Sequence, residues 1–143
     1  MTETDIVILA AGKGTRMRSA LPKVLHKLAG KPLLSHVLDA ADSIAGAEKI
    51  VVTGHGSDVI RKTYHDASIT LVEQAEQLGT GHAVQQAMPS LPARSVEDRV
   101  LILYGDVPLV SQDTLAELID CARSAPLGVL TLFTENPEGL CRI

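Results

Sequence analysis

Tryptophan is missing from the 143 residues, and the aromatic complement is one phenylalanine and two tyrosines. That leaves no stacking platform for nucleic acid, and a net charge of −4 argues against a general polyanion binder. The two cysteines, Cys121 and Cys141, are too few for a disulfide framework and have no histidine at metal-ligand spacing. Reduced thiols are therefore expected. The opening residues Met1-Thr2-Glu3-Thr4-Asp5 are acidic where a secretory signal would be basic. No apolar run approaches the roughly 18 residues that a membrane span requires. A cytoplasmic location is expected, with neither nucleic acid nor membrane as partner. His26, His36, His55, His65 and His82 are scattered without paired spacing, and none is assigned to catalysis.

What the chain has is enough apolar material, 45% of its residues, for one sizeable core. The run Asp5–Ala10 has the length of a buried strand and leads into Ala11-Gly12-Lys13-Gly14-Thr15-Arg16-Met17, followed by Pro22-Lys23. Two glycines let the backbone approach a ligand and offer N–H groups to an anion, while Lys13, Arg16 and Lys23 supply three cations. The combination suits a polyphosphate. A P-loop would need its glycines further apart and a Lys-Ser/Thr pair after the second. A dinucleotide fingerprint would need a glycine where Met17 stands. Neither template fits, and a strand-to-turn connection with solvated cations stays open on these residues alone.

The rest of the chain alternates. The period of Leu33, Leu34, Val37, Leu38, Ala41, Ile44 and Ala45 predicts a helix opened by Lys31-Pro32 and stopped by Gly46. Strands are predicted at Lys49–Thr53, near Ser68–Val72, at Arg99–Tyr104 and at Leu127–Phe133. Ser57 and Ser111 are placed as helix caps, and a helix is expected from Gly79 or Thr80 to Met88. Residues 89–98 have the composition of a loop. Such alternation implies an α/β fold with a mostly parallel sheet covered on both faces. Ligands bind such sheets beyond the carboxyl ends of strands, where the strand order switches. If the strands at 5–10 and 99–104 are neighbours, the glycine loop and Asp106 share one crevice. Asp106, in a Gly-Asp-Val-Pro turn, is either a turn aspartate or a ligand for Mg²⁺.

Leu9-Ala10-Ala11-Gly12-Lys13-Gly14-Thr15-Arg16-Met17 with Leu21-Pro22-Lys23 resembles the signature of the sugar-1-phosphate nucleotidyltransferases. Gln74–His82, Tyr104–Leu109 and the terminal Arg142-Ile143, in that order, narrow the likeness. Together they resemble the amino-terminal uridylyltransferase domain of the bacterial bifunctional N-acetylglucosamine-1-phosphate uridylyltransferase/glucosamine-1-phosphate acetyltransferases. The resemblance implies a Rossmann-like fold and transfer of a uridylyl group from UTP to N-acetylglucosamine 1-phosphate, giving UDP-N-acetylglucosamine and pyrophosphate. It also implies that Asp106 binds Mg²⁺ and that Arg16 and Lys23 are catalytic cations. Leu9, Ala10, Ala11, Gly12 and Lys23 would bind the nucleotide, Gln74 the base with Gly79 and Thr80 beside it, and Tyr104, Gly105 and Asp106 the sugar nucleotide. Gln77 and Glu76 are read as loop shape.

The chain departs from that family in carrying Cys141 where relatives have the glycine of a Gly-Arg-Ile segment; Gly139 matches the segment's earlier glycine. It also stops before the family's second Mg²⁺ ligand and before the β-helix that carries acetyl transfer and forms a homotrimer. The expectation is a partial nucleotidyltransferase domain over residues 1–143, truncated before the domain is complete, with little or no turnover of its own. Two alternatives stand beside it: a nucleotide-binding or subunit-interaction fragment without catalysis, and a related sugar-phosphate nucleotidyltransferase of different specificity.

Overall fold

Three contiguous apolar runs, each too short for a core helix, become adjacent strands of a parallel sheet. The computed structural model describes residues 3–12, 14, 19–54, 57–92, 95, 97–136 and 138. In chain order the elements are β1 (Thr4–Ala10), β2 (Lys27–Leu28), β3 (Lys31–Pro32), α1 (Leu33–Ala41), β4 (Lys49–Thr53), α2 (Ser57–Thr63), β5 (Thr70–Glu73), α3 (Thr80–Ala87), β6 (Arg99–Tyr104) and α4 (Gln112–Cys121). The main sheet has the order β5-β4-β1-β6, with every pairing parallel.

Strand alternation decides which residue meets which helix. On one face Ile6, Ile8, Val51, Leu101 and Leu103 pack with Leu34, Val37 and Leu38 of α1, Ile60 of α2 and Leu115 of α4. On the other, Val7, Leu9, Ile50 and Val52 meet Ala83 and Ala87 of α3. Because β1 and β4 are buried on both faces, their sequences read as unbroken apolar runs rather than alternating ones. The α/β class with helices on both faces is thus observed. Cover is incomplete over β6, whose Val100, Ile102 and Tyr104 remain exposed.

The structure corrects several boundaries. The first helix begins at Leu33 and ends at Ala41, short of Ile44 and Ala45. Lys31-Pro32 instead pairs with Lys27-Leu28 as a small antiparallel hairpin. Ser57 is the first residue of α2 and not its cap, and position 56 lies outside the described residues. The strand expected near Ser68–Val72 is shifted to Thr70–Glu73. Met88-Pro89-Ser90 continues α3 as a 3-10 turn, a conformation that proline tolerates in its first positions. Ser111 does cap α4, its Oγ accepting a hydrogen bond from the Thr114 N–H at 3.1 Å. Leu127–Phe133 forms no strand: it joins no described ladder, and Leu127, Val129, Leu130, Leu132 and Phe133 are exposed. Apolar β-rich composition does not make a strand without a partner edge. Cys121 is exposed at the end of α4, and Cys141 lies outside the described residues. No helix among the described residues is long and apolar enough to cross a membrane.

Two local features generate predictions. The β2–β3 turn has Ala29 at φ 50° and Gly30 at φ 81°. Two positive φ values belong to the hairpin turn that Asn-Gly favours, and a Cβ there is strained. Ala29→Asn is expected to raise unfolding stability by about 1 kcal/mol in denaturant titration. At the opposite end of the sheet, the buried Asp5 accepts a hydrogen bond from the Glu48 N–H at 3.1 Å. Burial, opposed by that hydrogen bond and aided by the charges of Glu48 and Asp98, holds its carboxyl above the usual 3.8. A carboxyl with a raised folded pKa favours folding below its unfolded value and loses that contribution as pH rises through the folded one. Asp5→Asn keeps the acceptor and removes the charge. Its stability relative to the parent should therefore rise from pH 3.8 upward and the two should converge in acid, as read by unfolding at a series of pH values.

Candidate functional site

The ladder between β1 and β6 runs from Thr4↔Arg99 to Leu9↔Tyr104, so both strands end at the same level. One further rung, from the Gly105 N–H to the Leu9 carbonyl at 2.9 Å, ties their tips together. From β1 the chain proceeds to β4 and β5 on one side, and β6 returns on the other. The switch in strand order therefore falls at these two tips, where the chain segments diverge and leave a crevice.

A cleft of about 300 Å³ opens there. Of the twelve residues expected from sequence, ten line it. Leu9, Ala10, Ala11 and Gly12 come from the end of β1, Lys23 from the 3-10 turn Lys23–Leu25, and Gln74 from the end of β5. Gly79 and Thr80 stand at the head of α3, and Tyr104 and Asp106 at the tip of β6. Gly105 lies behind them, its Cα hydrogens filling the place where a Cβ would stand 3.1 Å from Val24 and 3.2 Å from the Leu9 carbonyl. Arg16, together with Lys13, Gly139 and Arg142-Ile143, lies outside the described residues.

Charge in the cleft is paired. The Lys23 ammonium donates to Asp106 Oδ2 at 2.5 Å, with the two side chains 39% and 29% exposed. At that exposure an ion pair is worth roughly 0–1 kcal/mol, so the two groups are held together yet readily exchanged for a stronger partner. Gly14, at φ 55°, packs on the stem of Lys23, where a Cβ would come within 2.8 Å. The glycine loop thus supports the lysine by close approach, a use of Gly that needs neither of the standard phosphate templates.

Gln74 is 3% exposed, and its N–H bonds to the Thr53 carbonyl at 2.7 Å, one step beyond the β4–β5 ladder. Its amide nitrogen donates to the Gly79 carbonyl at 3.1 Å and approaches His82 Nδ1 at 3.0 Å. Thr80 makes no capping bond; Gly79, at φ 106°, takes the cap position in backbone space open to glycine alone.

Sequence reasoning missed three participants. Gln77, read as loop shape, lines the cleft and donates to the Ala11 carbonyl at 2.6 Å, pinning the loop after β5 against the tip of β1. Val24 and Ala83 supply apolar wall. Nothing in the spacing of Gln77 marks it, because its partner is a main-chain atom 66 residues away. For a divalent cation the cleft offers hard oxygen from Asp106. Among the described residues no group of three or more His, Cys, Asp or Glu could hold a metal. One carboxylate completed by substrate phosphates and water fits Mg²⁺, which takes few protein ligands, better than a metal that demands a full protein cage.

A second hollow, of about 1000 Å³, lies around the open edge of β6 between that strand, α4 and residues 126–130. Of the expected residues it shares only Tyr104, and its walls are mainly apolar. It is larger than the cleft because no described strand covers the edge of β6 there, and its charged residues are Asp98 and Arg99, with neither Lys23, Asp106 nor a side-chain amide among its walls.

Fold and cleft together define an α/β domain with a crevice across the tips of two adjacent parallel strands. The MobA-like NTP transferase domain matches residues 6–139, and the chain belongs to that family. It is 54% identical over 140 residues to the bifunctional protein GlmU of Acinetobacter baumannii (strain AYE), covering 98% of this chain and 30% of that one. The chain thus spans about 30% of the length of the curated relatives it matches. Rv0371c from Mycobacterium tuberculosis H37Rv superimposes with a TM-score of 0.70 at 25% identity, over 86% of this chain and 61% of that one. A complex of Rv0371C with manganese gives 0.69 at 24%, again over 86% and 61%.

The close packing at Gly54 is directly testable. A Cβ there would stand 2.6 Å from Gln77 Nε2 and 2.7 Å from the Ala11 carbonyl. Gly54→Ala should break the Gln77–Ala11 bond and cost about 1–3 kcal/mol in denaturant unfolding, with Gln77→Ala reproducing part of the loss.

Proposed function

We propose that this cleft is the uridylyl-transfer site of a nucleotidyltransferase, moving a uridylyl group from UTP to N-acetylglucosamine 1-phosphate and releasing pyrophosphate. The reading is carried by one observation: a lysine, a carboxylate, a buried amide and glycine-rich main chain, from four separate stretches, line a single crevice at the switch point. The kinship with GlmU supports UTP and the sugar phosphate as substrates, and the parent would be the longer bifunctional enzyme of which this chain matches a part.

The chemistry asks little covalent work of the protein. An oxygen of the sugar phosphate attacks the α-phosphorus of UTP, the bond to the bridging oxygen breaks, and pyrophosphate leaves with that electron pair. The nucleophile is already an anion, so no general base is required. The difficulty lies in aligning two mutually repelling anions and neutralising charge on the leaving group. Lys23, a point charge on a flexible stem, is the described side chain that would follow that charge, exchanging Asp106 for phosphate oxygen. Arg16 is the second cation of the same loop and would grip phosphate as a fork. Asp106 would hold Mg²⁺, which when bound screens the triphosphate and withdraws electron density from phosphorus. The main chain at Leu9–Gly12 would lie along the nucleotide, where small side chains permit close approach. Gln74 would meet the edge of the uracil, and Tyr104 and Gly105 would flank the sugar.

Calorimetric titration of the chain with UTP in the presence and absence of Mg²⁺, paired with a pyrophosphate-release assay on UTP and N-acetylglucosamine 1-phosphate, tests this reading. UTP should bind in a Mg²⁺-dependent manner, and Asp106→Ala should remove that dependence and any release. Lys23→Met should lower release by about 10²–10³-fold, the scale for losing one charge-stabilising group. An Asp106→Ala protein whose Mg²⁺ dependence equals the parent's would contradict the assignment.

A further inference from the structure

We infer that His82, with Gln86 behind it, fixes the amide of Gln74 so that only its oxygen faces the cleft, making His82 a positioning residue for base discrimination. The inference rests on the cleft being a uridine-nucleotide site. It does not follow from any catalytic pattern of histidines, since the sequence contains none.

Donors and acceptors decide how the Gln74 amide sits. The Gln74 amide nitrogen lies 3.1 Å from the Gly79 carbonyl, which can only accept, so the nitrogen and not the oxygen must stand there. Its second N–H points to His82 Nδ1 at 3.0 Å. That ring nitrogen must therefore be the bare acceptor, and in the neutral imidazole the proton then sits on Nε2. Nε2 lies 3.1 Å from the amide of Gln86, one helical turn along α3. The two groups satisfy each other when the Gln86 amide turns its oxygen toward Nε2–H, an orientation set by the hydrogen-bond network rather than by atom positions. The whole relay then runs one way: His82 Nε2–H donates to Gln86 Oε1, and Gln74 Nε2–H donates to His82 Nδ1 and to Gly79.

Both N–H groups of Gln74 are consumed by this arrangement. Its Oε1 accepts from no described residue and is left for a ligand. An amide locked in that sense is an acceptor alone, and the base atom it meets must be a donor. The N3–H of uracil qualifies, while N3 of cytosine presents a lone pair and would be repelled. An amide free to rotate would accept either base, so discrimination depends on what holds the amide as well as on the amide.

The test uses the full chain with Mg²⁺ and measures UTP and CTP affinities side by side, with long-range ¹H–¹⁵N spectra of the imidazoles at mildly alkaline pH as a second readout. The parent should prefer UTP, His82→Ala should narrow the UTP/CTP ratio by about tenfold, the worth of one hydrogen bond, and Gln86→Glu, which keeps the acceptor, should retain it. The spectra should show His82 as the Nε2–H tautomer whether or not His82→Ala folds. An unchanged ratio in His82→Ala, or an Nδ1–H tautomer in the parent, would overturn the inference and leave the uridine reading standing. A parent that binds neither nucleotide, or binds CTP as well as UTP, would overturn the uridine reading and the base-discriminating role of His82 with it.

Discussion

The site depends on the hydrogen bond from the Gly105 N–H to the Leu9 carbonyl, 2.9 Å long, which closes the β1–β6 ladder at its carboxyl end. Parallel pairing in register sets Leu9 opposite Tyr104, and this last rung keeps the next residues of each strand from splaying before the chain turns away. A Cβ at Gly105 would crowd Val24, the Leu9 carbonyl and Ala10 at 3.1, 3.2 and 3.4 Å. The same crowding draws Val24 against the strand tips and, with it, the neighbouring Lys23. A carboxylate in the turn just beyond one strand and a lysine from the connection after the other are thereby brought to 2.5 Å.

Around that fixed point the cleft is built from contacts that are individually weak. The Lys23–Asp106 pair is partly exposed, the Gln77–Ala11 bond holds one loop against another, and Gly14 supports the lysine stem by shape. Such a site is preorganised without being locked. On the proposed reading Lys23 would neutralise Asp106 until an anion and a cation arrive together, and the exchange would sacrifice little because an ion pair in water is worth little. Rigidity is concentrated instead in Gln74, whose amide is nearly fully buried and bonded through both hydrogens.

Legibility in the sequence followed burial. β4 and β6 begin and end where the apolar runs at Lys49–Thr53 and Arg99–Tyr104 begin and end, since parallel strands are recorded in composition as well as in periodicity, in the central β4 and the edge strand β6 alike. The adjacency of the strand tips was a topological expectation, and the sheet order meets it. The hairpin at Lys27–Pro32 left no signal, because two-residue strands around Ala29-Gly30 carry neither an apolar run nor a preferred turn sequence. Leu127–Phe133 misled in the opposite direction, its composition being that of a strand while no described edge pairs with it. His82 and Gln86 lie four apart on α3, which a helix reading could have paired. Their relation to Gln74 requires the loop at Gly79 and was out of reach of spacing alone.

The central claim is that one ligand lies across the tips of β1 and β6. Backbone amide chemical shifts recorded while UTP and Mg²⁺ are titrated into the chain test it most directly. The account predicts perturbations at residues 9–12, 74–83 and 104–106, with little change along α4 and residues 126–130. Shifts confined to that second hollow, with the strand tips silent, would contradict it.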